Sequence, residues 1–181
     1  MTTVQYDFER YLNVRTAYSP SFSPDGQRLS FLTDITGVAE VWSVPIDMHA
    51  QTPAWPDQLT FRNERVAGAS YSPTADVLLV SADRGGSELT QLYTLAADGS
   101  SFIALTAQPN VIYQFGHWSQ DGTRITYSSN ERDPRYFDVY ERILQSGETR
   151  QLLQQDGTNY ALRYSPDGDQ VLATRYLSNI N

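Results

Sequence analysis

The chain has 181 residues, enough for one domain or a large part of a longer protein; 40% of them are hydrophobic and 12% aromatic. The formal charge is −8 and no basic cluster occurs, which argues against partners such as nucleic acid or an anionic membrane. Cysteine is absent, which excludes disulfides and thiolate metal sites. No secretory signal opens the sequence, so we predict a cytoplasmic protein.

The first predicted element, residues 1–17, is a short helical segment. Val4, Phe8, Tyr11 and Leu12 recur at the i, i+4, i+7 and i+8 positions of one helix face. Such a segment is either a tether that packs against the rest of the chain or a docking element for another domain. The sequence leaves both interpretations open.

A turn motif that occurs four times dominates the rest of the chain. Ser-Pro-Asp-Gly occurs at 23–26 and again at 165–168. Between these two copies it occurs as Ser-Pro-Thr-Ala at 72–75 and as Ser-Gln-Asp-Gly at 119–122. The copies are 46 to 49 residues apart. Each follows an aromatic residue and precedes a short apolar run; the aromatic residues are Phe22, Tyr71, Trp118 and Tyr164. The chain is therefore built from repeated units.

Each unit predicts four antiparallel strands. The first ends at the aromatic residue, and Pro-Asp-Gly makes the tight turn, because proline presets φ and glycine accepts a positive φ. The apolar run is the second strand, at 29–32, 77–80, 125–127 and 171–173. An alternating third strand follows at 40–44, 91–95 and 138–143, and a short fourth strand at 58–60, 102–105 and 150–153.

Four strands in a unit of about 46 residues are typical of a β-propeller blade. A β-sandwich is the alternative fold, but it gives no reason for one turn motif at a long fixed period. We therefore predict an all-β fold, a β-propeller of WD-like blades at 18–61, 62–107 and 108–156, with a partial fourth blade at 157–181. On this interpretation the ring is open and truncated, and its raw strand edge is expected to promote self-association.

Catalytic motifs are missing from the sequence. No Gly-x-Ser-x-Gly nucleophile turn, dinucleotide-binding motif or phosphate-binding loop occurs. The two histidines, His49 and His117, have no metal-ligand spacing. Asp167 and Asp169 resemble the start of a calcium loop, but the turn they occupy explains them better. We predict no catalytic residue, no metal site and no cofactor in this chain.

Charged residues concentrate in the loops between second and third strands, at 34–37, 83–88 and 130–136, which gather on one face of a propeller. Arg84, Arg132 and Arg135 are candidates to present a guanidinium group to a carboxylate, with Glu88 beside the first of them. His117, in the first strand of its unit, is a candidate to line a channel. The alternative is that the loop charges bind one another and that His117 is structural.

Several stretches resemble bacterial serine peptidases of the prolyl oligopeptidase family, of the acylaminoacyl-peptidase and dipeptidyl-aminopeptidase kind. They lie at 10–26, 63–73, 83–86 with 91–93, and 115–119. The resemblance covers nearly the whole chain, although the Ser-Pro-Asp-Gly turn also recurs in Tol-system propellers and other WD-like repeats.

The resemblance implies a propeller of seven or eight blades followed by a C-terminal α/β-hydrolase domain that carries the catalytic Ser, Asp and His. The propeller then restricts access so that peptides, rather than folded proteins, reach the nucleophile. This chain would gate peptide access to, and dock, a hydrolase domain that it lacks, so no catalytic residue is carried over. The alternatives are a non-enzymatic Tol-like scaffold for protein–protein interaction and a propeller enzyme with a channel-centred site, for which only His117 qualifies.

Overall fold

The computed structural model describes residues 8, 14–47, 49 and 54–177, and almost all of its regular structure is β-strand. The first sheet contains β1 (Ala17–Phe22), β2 (Arg28–Thr33), β3 (Glu40–Pro45) and β4 (Asp57–Gln58). The second contains β5 (Val66–Tyr71), β6 (Val77–Ala82), β7 (Gln91–Ala96) and β8 (Phe102–Ala104). The third contains β9 (Tyr113–Trp118), β10 (Arg124–Asp133), β11 (Tyr136–Ile143) and β12 (Thr149–Leu153), and is followed by β13 (Thr158–Tyr164) and β14 (Val171–Tyr176).

In the first two sheets the strands pair antiparallel in chain order. The third sheet has the same order, but it continues into β13 and β14. A single parallel bridge between Phe137 and Thr158 makes this connection. The β13–β14 hairpin, which the sequence predicts as a separate partial unit, is therefore paired with the third sheet through one bridge.

The predicted strand pattern agrees closely with these bounds. All four first strands end at the predicted aromatic residue, and the predicted second, third and fourth strands each overlap an observed strand. The predicted loop at 130–136 is wrong for most of its length, because β10 and β11 extend through it to a two-residue turn. Of the predicted helical face, Phe8 is helical, whereas Val4, Tyr11 and Leu12 lie outside the described residues.

The serine and aspartate of the repeated turn fasten it. In the first copy the Ser23 hydroxyl donates to the Asp25 carboxylate at 2.6 Å and accepts the Arg28 N–H at 2.9 Å. The same two bonds recur in the copies that begin at residues 119 and 165. The glycine of each of these three copies has a φ between 70° and 76°, a left-handed conformation that glycine adopts without a steric cost.

The second copy of the turn is built differently, because it has Thr74 and Ala75 in place of aspartate and glycine. Here the Ser72 hydroxyl accepts the N–H groups of Thr74 and Ala75, both at 3.3 Å. The Thr74 hydroxyl donates at 3.0 Å to the Asp121 carbonyl oxygen in the next copy. The departure from the motif therefore adds a contact between the second and third sheets.

The sheets pack face to face through two apolar clusters. The first lies between sheets one and two and includes Leu32, Val41, Leu78 and Val80. The second lies between sheets two and three, and its buried members are Leu79, Leu92, Tyr113, Trp118, Ile125, Tyr127 and Tyr140. Neighbouring residues of β6 thus point to opposite faces, as the pleat of a strand requires.

A polar network is buried between the third sheet and the hairpin. The Glu141 carboxylate binds Arg124 at 3.0 Å and Arg150 at 2.9 Å, and it accepts the Tyr164 hydroxyl of β13 at 3.1 Å. The Arg124 guanidinium also stacks over the Tyr164 ring, 5.3 Å from its centre. Burial, and then the neighbouring carboxylate, raises the pKa of the Tyr164 phenol. This tyrosine therefore stays neutral and donates to the acid.

Candidate functional site

A buried polar side chain near the start of each third strand holds the link to the next unit. The Glu40 carboxylate accepts the N–H groups of Arg62 and Asn63 at 2.7 and 2.9 Å. In the second sheet the Gln91 amide donates to the Val111 carbonyl oxygen at 2.7 Å. In the third, Asp138 accepts the Gln155 N–H at 3.3 Å. These links, the segments at 60–65, 105–112 and 154–157 that lead from one unit to the next, therefore have backbone groups held by side chains of the preceding sheet.

The link between the first two sheets is fixed further by Arg62. Its guanidinium donates to the Asp83 carbonyl oxygen at 2.9 Å and pairs with Glu64 at 3.1 Å. It also stacks over the rings of Tyr93 and Phe102, at 5.1 and 5.0 Å. These bonds tie the link at 60–65 to the loop that follows β6, so the two segments form one continuous surface.

Arg84 and Glu88 lie in that loop but line different cavities. Arg84 lines a cavity of about 220 Å³, together with Gln91 and Tyr93. Glu88 lines a neighbouring cavity of about 690 Å³. The Glu88 backbone has a φ of 62°, and its N–H donates to the Asp83 carboxylate at 2.9 Å. Within the described part of the chain neither charged side chain has a hydrogen-bond partner.

Arg132 and Arg135 occupy the β10–β11 hairpin, where both stack on the Tyr136 ring. Arg132 forms a two-pronged ion pair with Asp138, whose side chain is fully buried, and its Nη2–Oδ1 distance is 3.1 Å. Arg135 pairs with Asp133 at 2.8 Å near the surface. Both guanidinium groups therefore already bind carboxylates of this chain.

His117 lies at the other end of the sheets, beside the serine turns. It lines a cavity of about 450 Å³ with Ser70, Trp118, Arg163 and Tyr164. Burial, and then the charge of Arg163, lowers the pKa of the His117 imidazole. The ring is therefore neutral at neutral pH and presents one N–H donor and one acceptor nitrogen.

The five candidate residues are thus spread over four places and do not form one site. Arg163, which lines the same cavity as His117, was not predicted from the sequence. The repeat could have indicated it, because Arg163 directly precedes Tyr164 just as His117 directly precedes Trp118. Among the residues described, no group of three or more acidic or histidine side chains is arranged to hold a metal ion. In that part of the chain no helix is long and apolar enough to cross a membrane.

Comparison with known proteins finds chains that are similar in sequence and solved structures that are similar in fold. No family model matches the chain. It is 36% identical over 152 residues to dipeptidyl aminopeptidase BIII of Pseudoxanthomonas mexicana. Its structure is similar to that of a putative TolB from Agrobacterium tumefaciens, with a TM-score of 0.68 and 22% identity over 89% of this chain and 54% of that one. It is also similar to the acylaminoacyl peptidase of Pyrococcus horikoshii, with a TM-score of 0.59 and 19% identity over 87% of this chain and 27% of that one.

The extent of the sequence match shows how much of the relative is concerned. The match covers 83% of this chain but 21% of the dipeptidyl aminopeptidase, so the chain spans about a fifth of that relative. The two structural matches show a shared all-β, propeller-like fold. Together these findings confirm the resemblance of this chain to the β-propeller portion of the prolyl oligopeptidase family.

Proposed function

We propose that this chain is the non-catalytic propeller portion of a serine peptidase, and that it gates peptide access to an α/β-hydrolase domain and docks that domain. The observation that carries the proposal is the 36% identity with a dipeptidyl aminopeptidase over 152 residues, in a sequence without a nucleophile turn. On this proposal peptidase activity belongs to a longer parent protein, which is cytoplasmic.

On this proposal the sheets of the chain correspond to blades of the propeller. Sheets one to three are three complete blades, and the β13–β14 hairpin supplies the first two strands of a fourth. The pinned links at 60–65, 105–112 and 154–157 form the docking face, since their backbones are held by Glu40, Gln91 and Asp138. A rigid face of this kind binds a domain without a large ordering cost.

The exposed face of the hairpin is a second contact surface on this proposal. Leu172 is 63% exposed there, and Tyr160 and Leu162 lie exposed on the paired strand. We propose that this face self-associates when the chain is isolated, because exposed apolar side chains on a terminal hairpin recruit another sheet. Light scattering of the chain alone, compared with its Leu172→Glu variant, measures the effect.

A chimera tests the gating role. The matched residues of the Pseudoxanthomonas mexicana dipeptidyl aminopeptidase are replaced by those of this chain, and hydrolysis of a dipeptidyl chromogenic substrate and of a folded protein is measured. We expect the chimera to release dipeptides and to leave the folded protein intact. A folded chimera that digests the protein contradicts gating, and one that folds without dipeptide release contradicts docking. Circular dichroism first establishes that the chimera is folded.

A Tol-like scaffold that binds protein partners without catalysis is the second candidate. The observation in its favour is the TM-score of 0.68 with the putative TolB, against 0.59 with the acylaminoacyl peptidase. If this role is correct, the chimera fails to support hydrolysis, and the isolated chain binds no separately produced hydrolase domain of the dipeptidyl aminopeptidase. Stable binding of that domain, measured by calorimetry, favours the peptidase role.

A further inference from the structure

The cavity beside the repeated turns is lined by residues at equivalent positions in the first strands of three consecutive units. His117 in β9 and Arg163 in β13 each directly precede the aromatic residue that ends the strand, and Ser70 holds this position in β5. The three side chains line one cavity of about 450 Å³, within the range of about 300–1,000 Å³ typical of small-molecule sites. The repeat therefore places a histidine and an arginine side by side.

The charge of this cavity is opposite to that of the chain. The sequence has 21 acidic and 13 basic residues, yet among the described residues that line the cavity no side chain is acidic. Arg124, Arg132, Arg135 and Arg150 all pair with carboxylates. Arg163 has no hydrogen-bond or ion-pair partner in the described part of the chain. Its guanidinium is therefore available to an anion from outside.

The walls of the cavity are largely apolar. Trp118 and Tyr164 lie beside the two basic residues, and Pro73 and Pro166 complete the wall at the turns. Trp118 is fixed, because its indole N–H donates at 3.3 Å to the Ser70 carbonyl oxygen. Aromatic rings and prolines bury an apolar body at little entropic cost. The cavity therefore suits a ligand with one anionic end and one apolar part.

We propose that this cavity binds a small carboxylate with an apolar body, such as the C-terminal residue of a peptide, with Arg163 holding the carboxylate and His117 donating a hydrogen bond to it. A planar carboxylate matches the paired N–H groups of a guanidinium, and such charge-assisted bonds are the strong ones. The proposed docking face lies at the opposite ends of the strands, so this site is independent of the proposed function.

Three probes test the site by calorimetry at low ionic strength: N-acetyl-phenylalanine, its primary amide, and acetate. We expect the acid to bind and both other probes to bind at least about tenfold more weakly, because the amide lacks the charge and acetate lacks the apolar body. Equal binding of acid and amide, equal binding of acid and acetate, or no binding of the acid at about 10 mM overturns the proposal.

Variants locate the binding. Arg163→Gln is expected to weaken binding of the acid about tenfold, to the level of the amide, while Arg15→Gln, which removes one exposed charge elsewhere, leaves binding unchanged. Should Arg163→Gln fail to fold, the ring resonances of His117 in the unmodified chain give a second readout. The acid is expected to shift them and the amide is not. Unchanged resonances, or an affinity that Arg163→Gln does not alter, overturns the proposal.

Discussion

Truncating one buried leucine tests whether the sheets pack face to face. Leu79 and Leu172 hold the same position in the second and fourth units, seven residues after the serine of the turn. Leu79 is 1% exposed in the cluster between sheets two and three, whereas Leu172 is 63% exposed on the hairpin. Because the two positions match, Leu172→Ala is a control for Leu79→Ala.

The expected difference follows from the buried carbon atoms. Leucine to alanine removes three carbon atoms, worth about 2.4 kcal/mol at about 0.8 kcal/mol each, and the remaining cavity raises the cost at Leu79 to about 3 kcal/mol. At Leu172 roughly a third of that surface is buried, so the cost is below about 1 kcal/mol. For a chain of this size, Leu79→Ala lowers the melting temperature by about 6–12 °C and Leu172→Ala by less than about 4 °C.

Thermal melts followed by circular dichroism and by calorimetry measure both variants at one protein concentration, chosen low enough that light scattering shows a monomer, because self-association through the hairpin face would bury Leu172. A loss at Leu79 as small as that at Leu172 would refute the face-to-face packing of sheets two and three. A loss at Leu172 as large as that at Leu79 would refute the exposure of the hairpin face in solution.

Three further predictions concern charge and activity. The Ser119 hydroxyl, in the same turn, lowers the pKa of Asp121 from 3.8 to about 2. Because the pKa is depressed in the folded state, the Asp121 charge stabilises the fold at pH values above 3.8, and this stabilisation is lost as the pH falls toward 2. Melting temperatures of Asp121→Asn should therefore fall less steeply with acid than those of the parent, and parallel curves would contradict this. Arg132→Met should lower the urea midpoint more than Arg135→Met, because it leaves the buried Asp138 without its cation; equal midpoints would count against the buried pair. The purified chain should not release chromophore from aminoacyl or acyl-peptide substrates, and turnover abolished by a point mutation in this chain would disprove the non-catalytic role.

The repeat made most of the fold predictable, because each strand is short and is bounded by a turn with its own chemistry. Proline, aspartate and glycine define where first strands end, and alternation defines third strands such as 91–95. The single bridge between Phe137 and Thr158 was not predictable, since no residue type marks it. The loop at 130–136 was misassigned because its polar residues are typical of a loop, whereas in the fold the arginines pair within a hairpin.

The candidate residues were harder to predict, because a charge in a sequence does not reveal its partner. Arg84 and Arg132 appear equivalent in the sequence, yet one side chain is free in the described part of the chain and the other binds a buried acid. The residues that hold the links, Glu40, Gln91 and Asp138, are of three different types and so form no motif. Their shared role follows from their position at the start of a third strand.

The polar network around Glu141 explains an isolated hydroxyl at the first sheet interface. Tyr71 is the counterpart of Tyr164, and its hydroxyl is buried without a hydrogen-bond partner among the described residues. The counterpart of Glu141 is Ser43, which accepts a bond at 3.0 Å from Arg28, the counterpart of Arg124. The first interface thus has the cation and the phenol but not the acid that joins them in the third sheet. Neighbouring units consequently have distinct matching surfaces, so exchanging one unit for another would leave polar groups unmatched.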